Sequence, residues 1–253
     1  MDPNNLSRRS LMHKTSLLAA GAVAAHLTGK TNAIEMGKVE RVATKGRIKQ
    51  SVSRWCYGKW SLDELCEVSK RLGLQAIDLL GPEEFETVKK HGLICSLVNT
   101  HSLTNGLADR KFHDECLAKL REVIDATAAA GFPTVISFSG NRRGIPDDVG
   151  VDNAVEALKK IAGHAEQKKV TIVLEYLNSK VNHKDYMFDR TAWGVDLCKR
   201  VGSERFKLLY DIYHMQIMEG DLIATIKANH QYFCHYHTGG VPGRAEIDET
   251  QEI

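Results

Sequence analysis

The sequence lacks a Cys-x-x-Cys pair, an excess of charge of either sign, and an apolar run long enough to cross a bilayer. Each absence removes a class of function. Six cysteines (Cys56, Cys66, Cys95, Cys116, Cys198 and Cys234) are scattered singly, which argues against a structural zinc site or a disulfide-stapled mini-domain and leaves them as small hydrophobes. Basic and acidic residues number 34 and 32, for a net charge of +2, so no electrostatic footprint for nucleic acid or for an anionic membrane surface exists. The apolar stretch from Leu17 to Leu27 is too short for a stable membrane-spanning helix. What remains is an ordinary globular composition, 43% hydrophobic and 26% charged over 253 residues, enough to bury one large core.

Residues 1–33 read as an export signal. Ser7-Arg8-Arg9-Ser10-Leu11-Met12 resembles the twin-arginine motif, the apolar stretch follows it, and Thr31-Asn32-Ala33 offers a small-residue cleavage site. That resemblance implies a periplasmic protein, exported already folded, with no membrane partner once mature. Residues 34–47 are polar, basic and unpatterned, as in a linker. The remainder, residues 48–253, forms the folded domain.

From Ile48 the chain alternates strand and helix. Strands are expected over Ile48–Ser53, Ala76–Leu80, Leu93–Val98, Thr134–Phe138, a run opening at Thr171 and ending at Glu175, Phe206–Asp211 and Tyr232–His237. Helices fall between them: one opened by the capping box Ser61-Leu62-Asp63-Glu64 and closed at Gly73, one from Pro82 to Gly92, one from about Asp109 to Ala130, and others over Asp148–Lys168, Thr191–Val201 and Asp221–Asn229. Parallel strands need crossover helices, so this rhythm predicts a parallel α/β fold. An open doubly wound sheet would carry a Gly-x-Gly-x-x-Gly turn after the first strand. The chain reads Trp55-Cys56-Tyr57-Gly58 there, which favours a (β/α)8 TIM barrel with seven units present and the eighth strand and helix missing from this chain.

Three consecutive strands, the fifth, sixth and seventh, end in Glu175, Asp211 and His237. Their spacing is close to the ~31 residues of one barrel unit, so all three reach the carboxyl rim, where barrel enzymes hold their chemistry. Two carboxylates and an imidazole suit a divalent ion of the Mn²⁺, Mg²⁺, Co²⁺ or Zn²⁺ type. His235 and His237 share one face of their strand, so only one of them can stand at the rim. Trp55, Tyr57 and Trp60 either wall a pocket or pack in the core.

Leu174-Glu175-Tyr176-Leu177-Asn178, Asp211-Ile212-Tyr213-His214, and His235 through Arg244 with its Val241-Pro242-Gly243-Arg244 loop together resemble the hydroxypyruvate isomerase branch of the xylose isomerase-like barrels, from about Ile48 onward. That branch lies beside ketose 3-epimerases and inosose dehydratases. The resemblance implies that Glu175, Asp211 and His237 bind the metal, that Glu175 also serves as an acid/base, and that His214 and Arg244 contact substrate. It further implies a second catalytic glutamate on strand eight, beyond Ile253. In hydroxypyruvate isomerases the strand-seven position is usually glutamine, whereas this chain has His237, as the epimerases do. Arg244 would clamp a substrate carboxylate or stand as a surface arginine. His214 would bond a substrate hydroxyl or belong to loop surface, and His101, with Asp78 behind it, completes the polar candidates.

The function so implied is metal-dependent isomerisation of a small hydroxy-carbonyl compound through an enediolate, whose charge a cation stabilises while glutamate moves the proton. A sugar 3-epimerase, an inosose dehydratase-like enzyme and a non-catalytic sugar-binding relative are the alternatives. A phosphodiester-cleaving barrel needs more metal ligands and a more basic surface. The expected partner is a small molecule rather than nucleic acid, and homo-oligomerisation is left open.

Overall fold

The structure, a computed structural model, describes residues 46–253. The expected signal at residues 1–33 and nearly all of the 34–47 linker lie outside the described residues. Seven parallel strands form one curled sheet in sequence order: β1 (Ser51–Ser53), β2 (Ala76–Leu80), β3 (Ile94–Val98), β4 (Thr134–Ser137), β5 (Thr171–Glu175), β6 (Phe206–Asp211) and β7 (Phe233–His237). Helices α1 (Leu62–Leu72), α2 (Phe85–Lys90), α3 (His113–Ala130), α4 (Asp147–Lys168), α5 (Thr191–Val201), α6 (Ile212–Met218) and α7 (Leu222–Asn229) connect them. The sheet curls far enough that His235 on β7 donates from Nε2 to Asp78 Oδ2 on β2, at 2.9 Å. Among the described residues β1 and β7 do not pair with each other.

Local chemistry explains where the elements begin and end. Ser61 accepts from the Glu64 backbone N–H while the Glu64 carboxylate accepts from the Ser61 N–H, a reciprocal cap that fixes the start of α1. Gly73 closes the same helix at φ 85°, a left-handed conformation that costs a residue without a Cβ nothing. All residues of β4 are buried, as are Ile172, Val173, Leu174 and Glu175 of β5, because helices cover the outer face and side chains fill the inner one. Four of the six cysteines are buried and all are free thiols.

Several boundaries differ from the sequence expectation. β1 is short, Ser51–Ser53, because Ile48 is exposed and has no core to join. The helix expected from Asp109 opens as a 3-10 turn over Arg110–Phe112, with Asp109 capping Lys111 N–H. The segment after Asp211, expected as loop, is the helix α6, and Asp211 itself is its cap, accepting from His214 N–H at 3.1 Å.

The loops after β3 and β4 are locked together at the rim. Leu107 N–H donates to Phe138 O and Ala108 N–H to Ser139 O, at 3.1 and 2.8 Å. This approach requires Gly106, where a Cβ would lie 2.4 Å from the Gly140 nitrogen and from Phe138 O.

Candidate metal and substrate site

A cavity of about 640 Å³ opens at the carboxyl rim of the sheet. Glu175 at the end of β5, Asp211 at the end of β6 and His237 at the end of β7 stand together in its wall. One ligand atom from each lies within 4.8 Å of the others. His237 Nδ1 is 3.3 Å from Glu175 Oε1 and 3.9 Å from Asp211 Oδ2. Neighbouring parallel strands place them there: Asp211 pairs in register with His237, and Glu175 with Leu209.

The electrostatics are set by buried carboxylates gathered around one imidazole. Burial, followed by repulsion from Glu175, raises the Asp211 carboxyl to about 6, against the opposing pull of His237 and Arg244. Burial works against a charged His237, yet the carboxylates of Asp78, Glu175 and Asp211 outweigh it and lift the imidazole to about 10. Two buried acids sharing one imidazolium form a donor set that a divalent ion would satisfy more fully than a proton does. By that test the residues fit a divalent metal.

The remaining predicted contacts are placed differently. Arg244 lines the cavity, its guanidinium lying 5.3 Å from the Trp55 ring and 4.9 Å from the Tyr213 ring. Cation–π attraction to the two aromatic faces steadies the guanidinium. His214 is fully buried behind Asp211 rather than on the cavity wall, because α6 begins at once and turns it inward. Its Nδ1 accepts from the Asn178 N–H at 3.1 Å, and its Nε2 points at Asp211 Oδ2 from 3.9 Å. Burial, then the charge of Arg244, holds His214 neutral. His101 is also buried, bonded through Nε2 to Ser137 Oγ at 2.8 Å, with Nδ1 facing the Ser102 and Asn105 carbonyls. It packs edge-on against Phe138, and Phe138 rather than His101 faces the cavity.

Sequence reasoning passed over His183 and Glu246, both in the cavity wall. Neither belongs to a strand end, so nothing in the periodicity marks them. Burial and Arg244 lower the His183 imidazole, so a neutral ring faces the cavity. Trp55 and Tyr57 line the cavity, while Trp60 does not. Asp78, a minor candidate by sequence, is buried beside both histidines of β7.

The chain has clear relatives. A human relative named for hydroxypyruvate isomerase is 27% identical over 139 residues, 53% of this chain and 50% of its own length. The 2-oxo-tetronate isomerase of Cupriavidus necator is 34% identical over 94 residues, 37% of this chain and 36% of that protein. The D-psicose 3-epimerase of Ruminiclostridium cellulolyticum is 33% identical over 100 residues, 38% of this chain and 33% of that protein. The chain thus spans half or less of the length of these relatives. Among solved structures, the AP endonuclease, family 2 from Brucella melitensis superposes with a TM-score of 0.70 at 21% identity, covering 81% of this chain and 84% of that one. The IOLI protein with its binding zinc atom superposes with a TM-score of 0.63 at 15% identity, over 76% of this chain and 73% of that one. Both share the fold. Residues 66–249 match the family model for the xylose isomerase-like TIM barrel, and the chain belongs to that family.

Proposed function

We propose that this protein is a metal-dependent isomerase that moves a proton between adjacent carbons of a small hydroxy-carbonyl compound, in the manner of hydroxypyruvate isomerase. The observation that carries the reading is the convergence of Glu175, Asp211 and His237 on one point of the cavity wall. Glu175, Asp211 and His237 would hold the divalent ion, which when bound supplies Lewis-acid stabilisation of negative charge on substrate oxygens.

The two acids have different tasks. Asp211 is tied down as the cap of α6 and is suited to hold a fixed position. The Glu175 carboxylate ion-pairs with His237 alone among the described residues, which leaves it the freer of the two to take a proton from a substrate carbon. Arg244, held over the Trp55 and Tyr213 rings, orients a substrate carboxylate at the open side. Leu103, Phe138, Leu177 and the aromatic rings supply the apolar wall that thins water around the reacting carbon.

The names of two relatives support isomerase chemistry, and a histidine at the end of β7 favours a second reading, a ketose 3-epimerase. Incubation with hydroxypyruvate and with small ketoses in deuterated water separates them by the carbon that acquires deuterium. Glu175→Gln should lower turnover by roughly 10²- to 10⁴-fold in a folded protein. Undiminished turnover in that variant removes Glu175 from the mechanism. We also propose export by the twin-arginine route into the periplasm, on the strength of residues 7–12. Retention in the cytoplasmic fraction of a host with an intact twin-arginine system counts against it.

A further inference from the structure

His237 faces acids on both edges of its ring. Nδ1 looks toward Glu175 and Asp211, while Nε2 is buried, has no hydrogen-bond partner, and lies 3.6 Å from Asp78 Oδ2. A buried ring nitrogen without a partner calls for an explanation. Asp78 is held in place by three hydrogen bonds. Its Oδ1 accepts from Ser96 Oγ on β3, and its Oδ2 accepts from Ser51 Oγ on β1 at 2.8 Å and from His235 Nε2 on β7 at 2.9 Å. Three neighbouring strands, β1, β3 and β7, therefore fix where this β2 carboxylate stands.

Asp78, His235 and His237 also bring ligand atoms within 4.8 Å of one another, so the barrel contains two overlapping clusters that share one imidazole. A neutral imidazole has one N–H and one lone pair. It can give the lone pair to a cation on one side only, and the proton must then sit on the other. The Glu175 and Asp211 side has two acids and an open cavity, and the Asp78 side has one acid whose Oδ2 already receives Ser51 and His235.

We infer that Asp78 is a positioning residue: it receives the His237 Nε2 proton, fixes the ring's tautomer, and thereby presents the Nδ1 lone pair to a single cation held with Glu175 and Asp211. His235 is a hydrogen-bond partner of Asp78 rather than a ligand. The inference rests on the cation reading of Glu175, Asp211 and His237, and the experiment separates the two. A carboxylate behind a ligating histidine is worth 10- to 100-fold in metal affinity in comparable sites.

The test titrates Co²⁺ into the full chain while following its visible absorption, for the wild type, Asp78→Asn and His235→Gln, with melting temperature recorded for each. The wild type should bind one Co²⁺ per chain. Asp78→Asn should bind about 10- to 100-fold more weakly, with a shifted Co²⁺ band, since a carboxamide does not carry the charge that holds the proton on Nε2. His235→Gln, which keeps a donor for Asp78, should retain one ion within severalfold of wild-type affinity. Should Asp78→Asn fail to fold, Ser51→Ala, which removes one of the groups holding Asp78, should show a smaller weakening in the same direction. Two ions per wild-type chain, loss of the ion in His235→Gln, or wild-type affinity in a folded Asp78→Asn each overturn the inference while leaving the Glu175 site standing. A wild type that binds no ion overturns the functional reading as well.

Discussion

Loading a divalent ion should expel a proton, and affinity should climb steeply with pH. In the metal-free protein the acids around His237 lift its imidazole to about 10, so at pH 8 it is mostly protonated and its Nδ1 has no lone pair to give. Binding at pH 8 should therefore release about one proton per ion, and affinity should rise about tenfold per pH unit, or about 100-fold between pH 7 and pH 9, before levelling off near the imidazole's own value. Below about pH 6 the dependence should steepen, because Asp211, itself raised to about 6, must then give up a proton too. The sign of the linked stability is opposite. A raised imidazole stabilises the metal-free fold fully below the ordinary histidine value of about 6.5 and loses that contribution as pH passes through about 10. Calorimetric titration with Mn²⁺ in two buffers of different ionisation enthalpy counts the protons, and chelator competition at pH 7, 8 and 9 gives the slope. A proton count near zero at pH 8, together with flat affinity over that range, would refute the reasoning, since it would mean that His237 is already neutral.

Asp211→Asn should stabilise the metal-free protein by roughly 1–2 kcal/mol at pH 8, because the ionised form is the one that burial and Glu175 disfavour, and should remove the stabilisation that metal gives the wild type. Thermal melts with and without Mn²⁺ check both halves, and a less stable metal-free variant contradicts the account. Gly106→Ala should cost about 3 kcal/mol in denaturant unfolding, because its Cβ would collide with backbone atoms of the neighbouring loop that cannot give way. Arg244→Lys should raise KM for a carboxylate-bearing substrate about 10- to 100-fold with kcat little changed, since an ammonium lacks the planar face that Trp55 and Tyr213 grip. An unchanged KM would show that the substrate anion binds elsewhere.

Much of the fold could be read directly, because the inner strands β2, β4, β5 and β6 are largely buried runs rich in aliphatic residues between helix signals, whereas β1 and β7 at the sheet's edges are not. The Ser61–Glu64 cap and the glycines after the helices mark boundaries that depend on a few neighbouring residues, and these came out within a residue or so. α6 escaped notice for a physical reason. Ile212–Met218 is short, rich in β-branched, aromatic and thioether side chains, and opened by an aspartate that also ends a strand, so Asp211 serves two elements at once. The convergence of Glu175, Asp211 and His237 was legible because strand ends in a parallel barrel all point one way. The surroundings were not. That His214 and His101 face inward, and that Asp78 reaches His235 and His237, depends on the curl of the sheet and on helix direction, which no local pattern encodes.

Anomalous diffraction from a crystal of the full chain grown with Mn²⁺ tests the central claim most directly. The account predicts a single peak per chain, within about 2.0–2.3 Å of an oxygen of Glu175, an oxygen of Asp211 and Nδ1 of His237. A peak against Asp78 and His235 instead, or no peak in a crystal whose three side chains keep the arrangement described, would contradict it.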